Sequence, residues 1–343
     1  MRLHISKNLI GLVFLFTLFF TICFGFGYAS LNRYDPSSLI FMSDYSAVIP
    51  TVKYGLINST NDNIVQNRVL VPYLAHLIFK LVSPLGTWNM TSFSMLFIGS
   101  MFTSFSSVAI FEFIYRETKN IVIAFAAIIL FLTNFFTINF HLVNSVDSAL
   151  CFFCILFILT FYKRQFMFIV PIVVFGCLSK EVFLPVSASI CCGSIAYVFF
   201  KERKLDWNLV ALSITSILVG LLTLIILFYL TNGKIFSPLN ELNRISGNNS
   251  DYVWSFSTII SDTMRIALFF GPLTVLSVFS ILKVHRELLF HLIFLGCTTT
   301  ALGLYIGVAG LDYVRFIFNS GAVVLVYSAS ITLNRVLVWK SSI

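Results

Sequence analysis

The sequence predicts an all-α membrane protein that crosses the bilayer about ten times as one domain covering residues 1–343. Of its 343 residues, 58% are hydrophobic and 10% are charged, whereas soluble domains carry roughly 25% charged residues. The charged residues divide the chain into apolar runs close to the roughly 20 residues that one helical crossing needs. No polar stretch between these runs is long enough to fold as a separate soluble domain.

The first apolar run begins after Arg2 and Lys7 and continues without a charge from Asn8 to Asn32. This length exceeds the core of a signal peptide, so the run predicts a retained first helix. The complete set of predicted spans is 9–29, 92–114, 120–138, 147–162, 165–180, 182–200, 208–231, 264–282, 288–308 and 316–334. Two large loops, about 30–91 and 232–263, are then left on the outer face.

Basic residues give the orientation of these spans. Placing the N-terminus in the cytoplasm puts at least two basic residues in every inner segment, 13 of the 22 Lys and Arg in all. They are Arg2, Lys7, Arg116, Lys119, Lys163, Arg164, Lys201, Arg203, Lys204, Lys283, Arg286, Arg335 and Lys340. The alternation follows the positive-inside rule and predicts that both termini are cytoplasmic. The net charge of +8 therefore indicates topology and not a nucleic-acid partner. Compact loops favour a bacterial inner (plasma) membrane, although a protein of the endoplasmic reticulum membrane would have the same orientation, with its polar side away from the cytoplasm.

The first outer loop contains a short amphipathic segment. Val69 to Leu81 (VLVPYLAHLIFKL) is apolar but interrupted by Pro72, His76 and Lys80. It is too short to span a bilayer and is typical of a helix that lies on the membrane surface. If it did span, the charged loops after it would all change sides, against the positive-inside pattern.

Charged residues on the predicted outer side form the candidate site. Asp44 lies among apolar and aromatic residues, and Lys180–Glu181 occupies a tight turn between two spans. Charge near a bilayer is costly unless it is paired or solvated, so each residue alone is also explained as an ion pair or helix cap. Together they predict a polar cavity that opens outward. The candidates are Asp44, Arg68, Asp147, Lys180, Glu181, Asp312, Tyr313 and Arg315.

No cofactor is predicted from the sequence. Asp44, Asp147 and His141 could meet a divalent ion, but their separation in the chain gives no recognisable ligand spacing. No Walker-type or Rossmann glycine pattern is present, so a nucleotide site is not expected either. A divalent metal stays open, with less support than a metal-free site.

The chain resembles, in its overall layout, the multi-spanning, polyprenyl-phosphate-dependent glycosyltransferases of the GT-C fold class. A cytoplasmic N-terminus, one helix and a long outer loop with an acidic residue and a surface helix follow one another in that order. The chain lacks a soluble C-terminal domain and an Asp-Asp pair in its first loop, which larger members have. The matching residues are Asp44, the Arg-x-Leu-x-Pro stretch (Arg68, Leu70, Pro72), Lys180–Glu181 and the Asp-Tyr-x-Arg stretch (Asp312, Tyr313, Arg315).

The resemblance implies a hexosyl- or pentosyltransferase that moves a sugar from a polyprenyl-phosphate carrier to an acceptor outside the cytoplasm. Asp44 would be the general base, with Asp147 and Glu181 as weaker candidates. The lipid phosphate would be bound by Arg68, Lys180 and Arg315, with Asp312 and Tyr313 beside the last of these. Membrane lipids and the lipid-linked sugar are the expected partners, and the sequence indicates no particular protein partner.

Three other functions remain open. A transporter or flippase of a lipid-linked sugar would also need charged residues within the membrane, such as Glu112 and Arg265, but no internal repeat is detected. A transporter should carry polar residues at mid-membrane depth, whereas an outward-facing transferase needs them in the outer half. A surface-polysaccharide polymerase or ligase usually has its large outer loop late in the chain. A non-enzymatic accessory subunit is also compatible with such a fold.

Overall fold

The computed structural model describes most of the chain. The described residues are 2–33, 43–55, 68–84, 86, 89–143, 146–232, 260–261, 264–265, 268–306 and 311–341. Within them, residues 2–8, 32–33, 43–47, 232, 302–306, 311–314 and 338–341 are described by their backbone alone. No residue of this described part lies in a β-strand, so the predicted all-α class is confirmed there.

The following α-helices lie, in chain order, within the described residues. They are α1 (Arg2–Arg33), α2 (Ser43–Tyr54), α3 (Leu70–Val82), α4 (Met90–Thr118), α5 (Ile121–Leu132), α6 (Val146–Tyr162), α7 (Ile169–Ser179), α8 (Phe183–Glu202), α9 (Trp207–Asn232), α10 (Pro272–Val278), α11 (Arg286–Ile306) and α12 (Leu311–Ser341). A π-helical turn at Thr137–Leu142 precedes α6, and 3₁₀ turns at Phe166–Phe168 and Ile281–Lys283 precede α7 and α11.

Five helical stretches in the described residues are long and apolar enough to cross a membrane. They are Leu9–Leu31, Met90–Thr118, Phe183–Glu202, Trp207–Thr231 and Arg315–Leu337. Shorter apolar helices cover Leu70–Val82, Ile121–Leu132, Val146–Tyr162 and Phe166–Ser179. A bilayer accepts helices because their backbone hydrogen bonds are satisfied internally. The protein is therefore an all-α membrane protein, and the count of ten spans stays a prediction.

Residues 1–152 form the first of two compact units. In this unit α4 is the central helix, because α1, α3 and α5 all pack against it. Aromatic rings fill the contact between α1 and α4: the ring centroids of Phe16 and Phe105 are 4.6 Å apart, and those of Phe20 and Phe97 are 5.2 Å apart. Such pairs stabilise helix contacts beyond the effect of area burial alone.

Residues 153–343 form the second unit. In this unit α8 packs against α11, and Gly193 explains their close approach. A Cβ atom at Gly193 would lie 3.1 Å from the His291 Cα atom, so a larger residue would push the helices apart. Small residues at membrane helix contacts have this role. Hydroxyl groups join α10 to α12, since Ser277 Oγ donates to Leu325 O at 2.8 Å and Ser328 Oγ donates to Ser277 O at 2.7 Å.

Three helices end in the same way. The residues Lys119, Arg164 and Arg203, which follow α4, α6 and α8, have φ angles of 54°, 57° and 54°. This left-handed conformation caps a helix C-terminus and is usually occupied by glycine. At Arg164 the full double hydrogen-bond pattern is present, with Arg164 N–H donating to Phe161 O and Gln165 N–H to Thr160 O. Each of these three helix ends thus has a basic residue in a backbone conformation that glycine adopts with less steric strain.

Two segments differ from simple straight spans. The span predicted at 120–138 is helical as α5 to Leu132 and then bends, because the Asn134 side chain accepts a hydrogen bond from Phe136 N–H at 3.0 Å. The helical part of 264–282 that forms α10 begins at Pro272, directly after Gly271 with a φ of 53°. In both places a turn residue interrupts the apolar pattern of the sequence.

Candidate functional site

The predicted site residues fall into two groups. Asp44 lies in the first turn of α2, and Asp312 and Tyr313 lie in the first turn of α12, but their side chains are outside the described residues. The other five side chains are described. Arg68 and Asp147 belong to the first unit, and Lys180, Glu181 and Arg315 belong to the second. The described candidates are therefore divided between the two units, and a cavity shared by all of them stays a prediction.

Arg68 is buried immediately before α3, with 8% of its surface exposed. The helix that follows is held against α2 by His76, whose Nδ1 lies 2.8 Å from Val52 O in a buried hydrogen bond. Because a carbonyl oxygen only accepts, Nδ1 of this imidazole carries the proton. Gly55 ends α2 with a φ of 80°, and a Cβ there would lie 3.3 Å from His76 Nε2. The helix that contains Asp44 is thus packed directly on the helix that follows Arg68.

The two faces of α3 have different environments. Val71, Pro72, Ala75 and His76 are buried against the neighbouring helices. The opposite face exposes Tyr73, Leu77 and Leu81, by 41%, 43% and 70% respectively. An exposed apolar face on a short helix needs an apolar neighbour, which a membrane surface supplies.

Asp147 is also buried, with 3% of its surface exposed in the first turn of α6. A carboxylate at this position is stabilised by the positive end of the helix dipole. The π-helical turn before it contains His141, which is fully buried and lies with its ring centroid 6.2 Å from that of Phe131. Such π-helical turns often mark functional sites. Among the described residues, no group of three or more His, Cys, Asp or Glu side chains could hold a metal ion.

Lys180 and Glu181 occupy the turn between α7 and α8. Lys180 is buried, with 5% of its surface exposed, and Glu181 is half-buried. The turn is tight because Lys180 N–H donates to Gly176 O and Lys180 O accepts from Phe183 N–H at 3.0 Å. A Cβ at Gly176 would lie 2.6 Å from the Phe183 ring, so this turn requires glycine. Arg315, on α12 of the same unit, is half-buried.

A second polar cluster was not found by sequence reasoning. Arg164 Nη2 lies 3.1 Å from Glu287 Oε1, and the two side chains are 40% and 8% exposed. One turn further along α11, His291 is fully buried and shares a 2.7 Å hydrogen bond with Ser194 Oγ on α8. Nδ1 of this histidine has no hydrogen-bond partner among the described residues. The signal in the sequence was the spacing of Glu287 and His291, which places both on one helix face.

Comparison with known proteins adds no relative. No protein-family model matches this chain, and a search of curated proteins finds no significant match. What the protein does is therefore inferred from its own side chains and from the layout of its helices.

Proposed function

We propose that the protein is a membrane glycosyltransferase of GT-C-like fold with about ten spans. It moves a sugar from a polyprenyl-phosphate carrier to an acceptor on the non-cytoplasmic side. The observation that supports this most is the burial of Arg68, Asp147 and Lys180 at helix ends, with 8%, 3% and 5% exposure. Charged residues of ordinary wet loops stay solvated, whereas buried charges in membrane proteins are costly and commonly functional. All three ends face outward in the predicted topology.

The proposed reaction is a single displacement at the anomeric carbon of the sugar. The acceptor hydroxyl oxygen forms the new bond to carbon, while the bond from carbon to the phosphate oxygen breaks and its electron pair leaves with the phosphate. Asp44 takes the hydroxyl proton as general base, and Asp147 and Glu181 are the weaker candidates for this role. Arg68, Lys180 and Arg315 stabilise the departing phosphate because its negative charge increases as the bond breaks. Asp312 and Tyr313 complete the site at the start of α12.

The packing of α2 on α3 supports this proposal. Helix α2, which contains Asp44, packs against a helix whose exposed face is apolar. A lipid-linked donor reaches its enzyme from within the membrane, so a catalytic loop must be held at the membrane surface. An α3 helix lying on the outer leaflet would do this.

The test is sugar transfer in detergent from a polyprenyl-phosphate-linked sugar, with binding of the donor measured in parallel. Asp44→Asn should lower the turnover rate by about 10²–10⁴ with little change in donor binding, because general-base catalysis contributes about that factor. Asp206→Asn is the matched control: Asp206 is an exposed helix cap that accepts from Asn208 N–H, and asparagine caps equally well.

The outcomes separate the candidate bases. Full activity of the Asp44→Asn protein would remove the base assignment from Asp44. An equivalent loss in Asp147→Asn alone would transfer the assignment to that residue. Loss of donor binding together with activity would indicate a binding role instead. No transfer by the wild-type protein with any lipid-linked sugar would contradict the proposed function.

A transporter or flippase of a lipid-linked sugar is the second candidate, favoured by the cluster of Arg164, Glu287, His291 and Ser194. Glu287, His291 and Ser194 are buried and Arg164 is partly exposed, at the end of α11 that the topology places on the cytoplasmic side. A pathway across the membrane needs polar groups in the inner half, which an outward-facing transferase does not. Movement of a fluorescent lipid-linked sugar across liposomes, lost in His291→Phe but kept in Asp44→Asn, would favour the transporter.

A further inference from the structure

Three helix connections of the second unit meet at the N-terminal end of α11. Arg164, which follows α6, has its Nη2 atom 3.1 Å from Oε1 of Glu287, in the first turn of α11. The C-terminal end of α8 joins them, because the ring centroids of Phe200 and Phe290 are 5.7 Å apart. The connection that follows α10 leads directly into the same turn of α11. The segments 163–164, 201–206 and 283–287 are therefore neighbours, and together they are called the basic end.

The basic end has an excess of positive charge. Its three segments contain seven Lys and Arg residues but three Asp and Glu residues. One of these acids, Glu287, is buried and lies outside the predicted spans. Burial raises the pKa of its carboxyl, and the positive charges of Arg164 and Lys201 lower that pKa. Arg164, Lys201 and Arg286 are all exposed, so an anion that approaches from solvent meets mainly cations.

Each of the three connections also exposes large apolar side chains beside its cations. These side chains lie within four residues of Arg164, Lys201 or Lys283 in the sequence, and they are 45% to 82% exposed. They are Met167, Phe168, Phe199, Phe200, Phe279 and Leu282. Exposed apolar side chains next to cations suit a ligand that carries both hydrocarbon and a phosphate. A soluble phosphate compound would make no use of the apolar part.

The connection between α4 and α5, in the first unit, provides a comparison. It also exposes an apolar side chain, since Val122 is 62% exposed. Its cations Arg116 and Lys119 are balanced by Glu112 and Glu117. Arg116 Nε lies 3.4 Å from Glu112 Oε2. Of these two described regions, the basic end combines apolar exposure with an excess of positive charge, whereas the α4–α5 connection has apolar exposure without that excess.

We propose that the basic end binds an anionic phospholipid, with the headgroup phosphate at Arg164, Lys201 and Arg286 and the acyl chains against the exposed apolar side chains. The predicted topology places this end at the cytoplasmic leaflet, where anionic lipids attract Lys and Arg. Arg164 is suited to the role because a guanidinium has five N–H donors, and its side chain is 40% exposed beside Glu287. The lipid site is separate from the proposed sugar transfer, whose donor phosphate is expected on the other side of the membrane.

The test is lipid binding to the full-length protein, delipidated in detergent. Affinities for phosphatidylglycerol, for phosphatidylcholine with the same acyl chains, and for water-soluble glycerol phosphate are compared. The variant Lys201→Gln/Arg286→Gln removes two exposed cations and leaves the Arg164–Glu287 ion pair in place. Arg116→Gln/Lys119→Gln is the matched control, because it removes the same charge from the α4–α5 connection, also predicted to be cytoplasmic.

Phosphatidylglycerol should bind wild type more tightly than either comparison ligand does. Lys201→Gln/Arg286→Gln should lower its affinity about 30-fold, since each Lys or Arg near anionic lipid contributes about a fivefold factor. The control variant should bind as wild type does. Unchanged affinity in Lys201→Gln/Arg286→Gln, or an equal loss in the control, would overturn the assignment. Phosphatidylcholine binding as tightly as phosphatidylglycerol would overturn it as well, and equally tight glycerol phosphate would assign the cations to a soluble ligand instead.

A crosslinking measurement on wild type needs no folded variant. Phosphatidylglycerol that carries a diazirine on its acyl chains, near the glycerol, should label peptides that contain residues 166–168, 199–200 or 279–282. Labelling confined to other peptides would refute the site even if the affinities changed as expected. Either failure would leave the transferase proposal standing, because sugar transfer is measured with a different lipid and with variants of other residues.

Discussion

Replacing Arg164 by methionine should destabilise the protein more than replacing its partner. The two members of this ion pair differ in solvent access, since the Arg164 side chain is 40% exposed and the Glu287 side chain is 8% exposed. Removing the arginine leaves a carboxylate buried without its cation. Removing the carboxylate, as in Glu287→Gln, leaves a guanidinium that still contacts solvent. Replacing Arg164 is therefore expected to lower the stability of the protein more than replacing Glu287.

The magnitude follows from these exposures. Breaking a buried ion pair by removing one partner costs about 3–5 kcal/mol, and an exposed pair contributes about 0–1 kcal/mol. Because solvent reaches Arg164, the expected cost of Arg164→Met is about 2 kcal/mol, below the buried range. Glu287→Gln should cost about 1 kcal/mol or less. The double variant should be more stable than Arg164→Met, because it contains no unpaired buried charge.

Thermal unfolding in detergent measures the difference. A thiol-reactive dye reports unfolding, because Cys23, Cys151, Cys154, Cys177 and Cys191 are buried in the folded protein. About 2 kcal/mol corresponds to a decrease in Tm of about 4–8 °C for a unit of this size. An Arg164→Met protein no less stable than Glu287→Gln would refute the reasoning. A double variant whose loss of stability equals the sum of the two single losses would also refute it.

Three further substitutions test the helix contacts by the same unfolding measurement. Gly271→Ala should cost about 1–3 kcal/mol, since φ of 53° with ψ of −130° is a conformation for glycine. Gly193→Leu should cost about 1–3 kcal/mol by overpacking against the His291 backbone, and an unchanged Tm would contradict the close contact. His76→Phe should leave Val52 O without its donor and cost about 1–3 kcal/mol. It should also speed tryptic cleavage in the α2–α3 region, and equal cleavage rates would argue against that hydrogen bond.

The membrane helices could be predicted because the length of an apolar run is determined by consecutive residues in the sequence. The run at 92–114 becomes α4 and the run at 208–231 becomes α9, each with boundaries that extend by only a few residues. A helix in lipid satisfies its own backbone, so its existence depends little on distant residues. The surface segment of the first loop likewise becomes α3, because its apolar period is clear over 13 residues.

Helix α2 could not be predicted in this way. Its sequence mixes polar and apolar residues and includes Pro50, so no periodic pattern distinguishes it from a loop. Packing against α3, through contacts such as His76 to Val52, accounts for it better than local propensity does. The apolar neighbours of Asp44 can be read from the sequence, but its place in the first turn of a helix depends on this long-range contact.

In the candidate site, too, some features depend on neighbouring residues in the sequence and others on contacts between residues farther apart. The turn at Lys180–Glu181 was predicted from the small space between two spans, and it lies between α7 and α8. Burial of Lys180 in that turn depends on the Gly176–Phe183 contact, which charge counting does not consider. The pairing of Arg164 with Glu287 was missed because both residues occur among other loop charges, where solvated side chains are the usual outcome.

The left-handed ends of α4, α6 and α8 bear on how the chain enters its membrane. A non-glycine residue in this conformation costs about 1–2 kcal/mol, yet Lys119, Arg164 and Arg203 occupy all three positions. Glycine would relieve the backbone at each of them but would remove one of the cations at that end, where Arg116, Lys163 and Lys201 also lie. Positive charge at such points holds a hairpin in one orientation during insertion. If these ends are cytoplasmic, as the predicted topology has them, the folded protein retains a small conformational penalty whose benefit arises during insertion, before its tertiary contacts form.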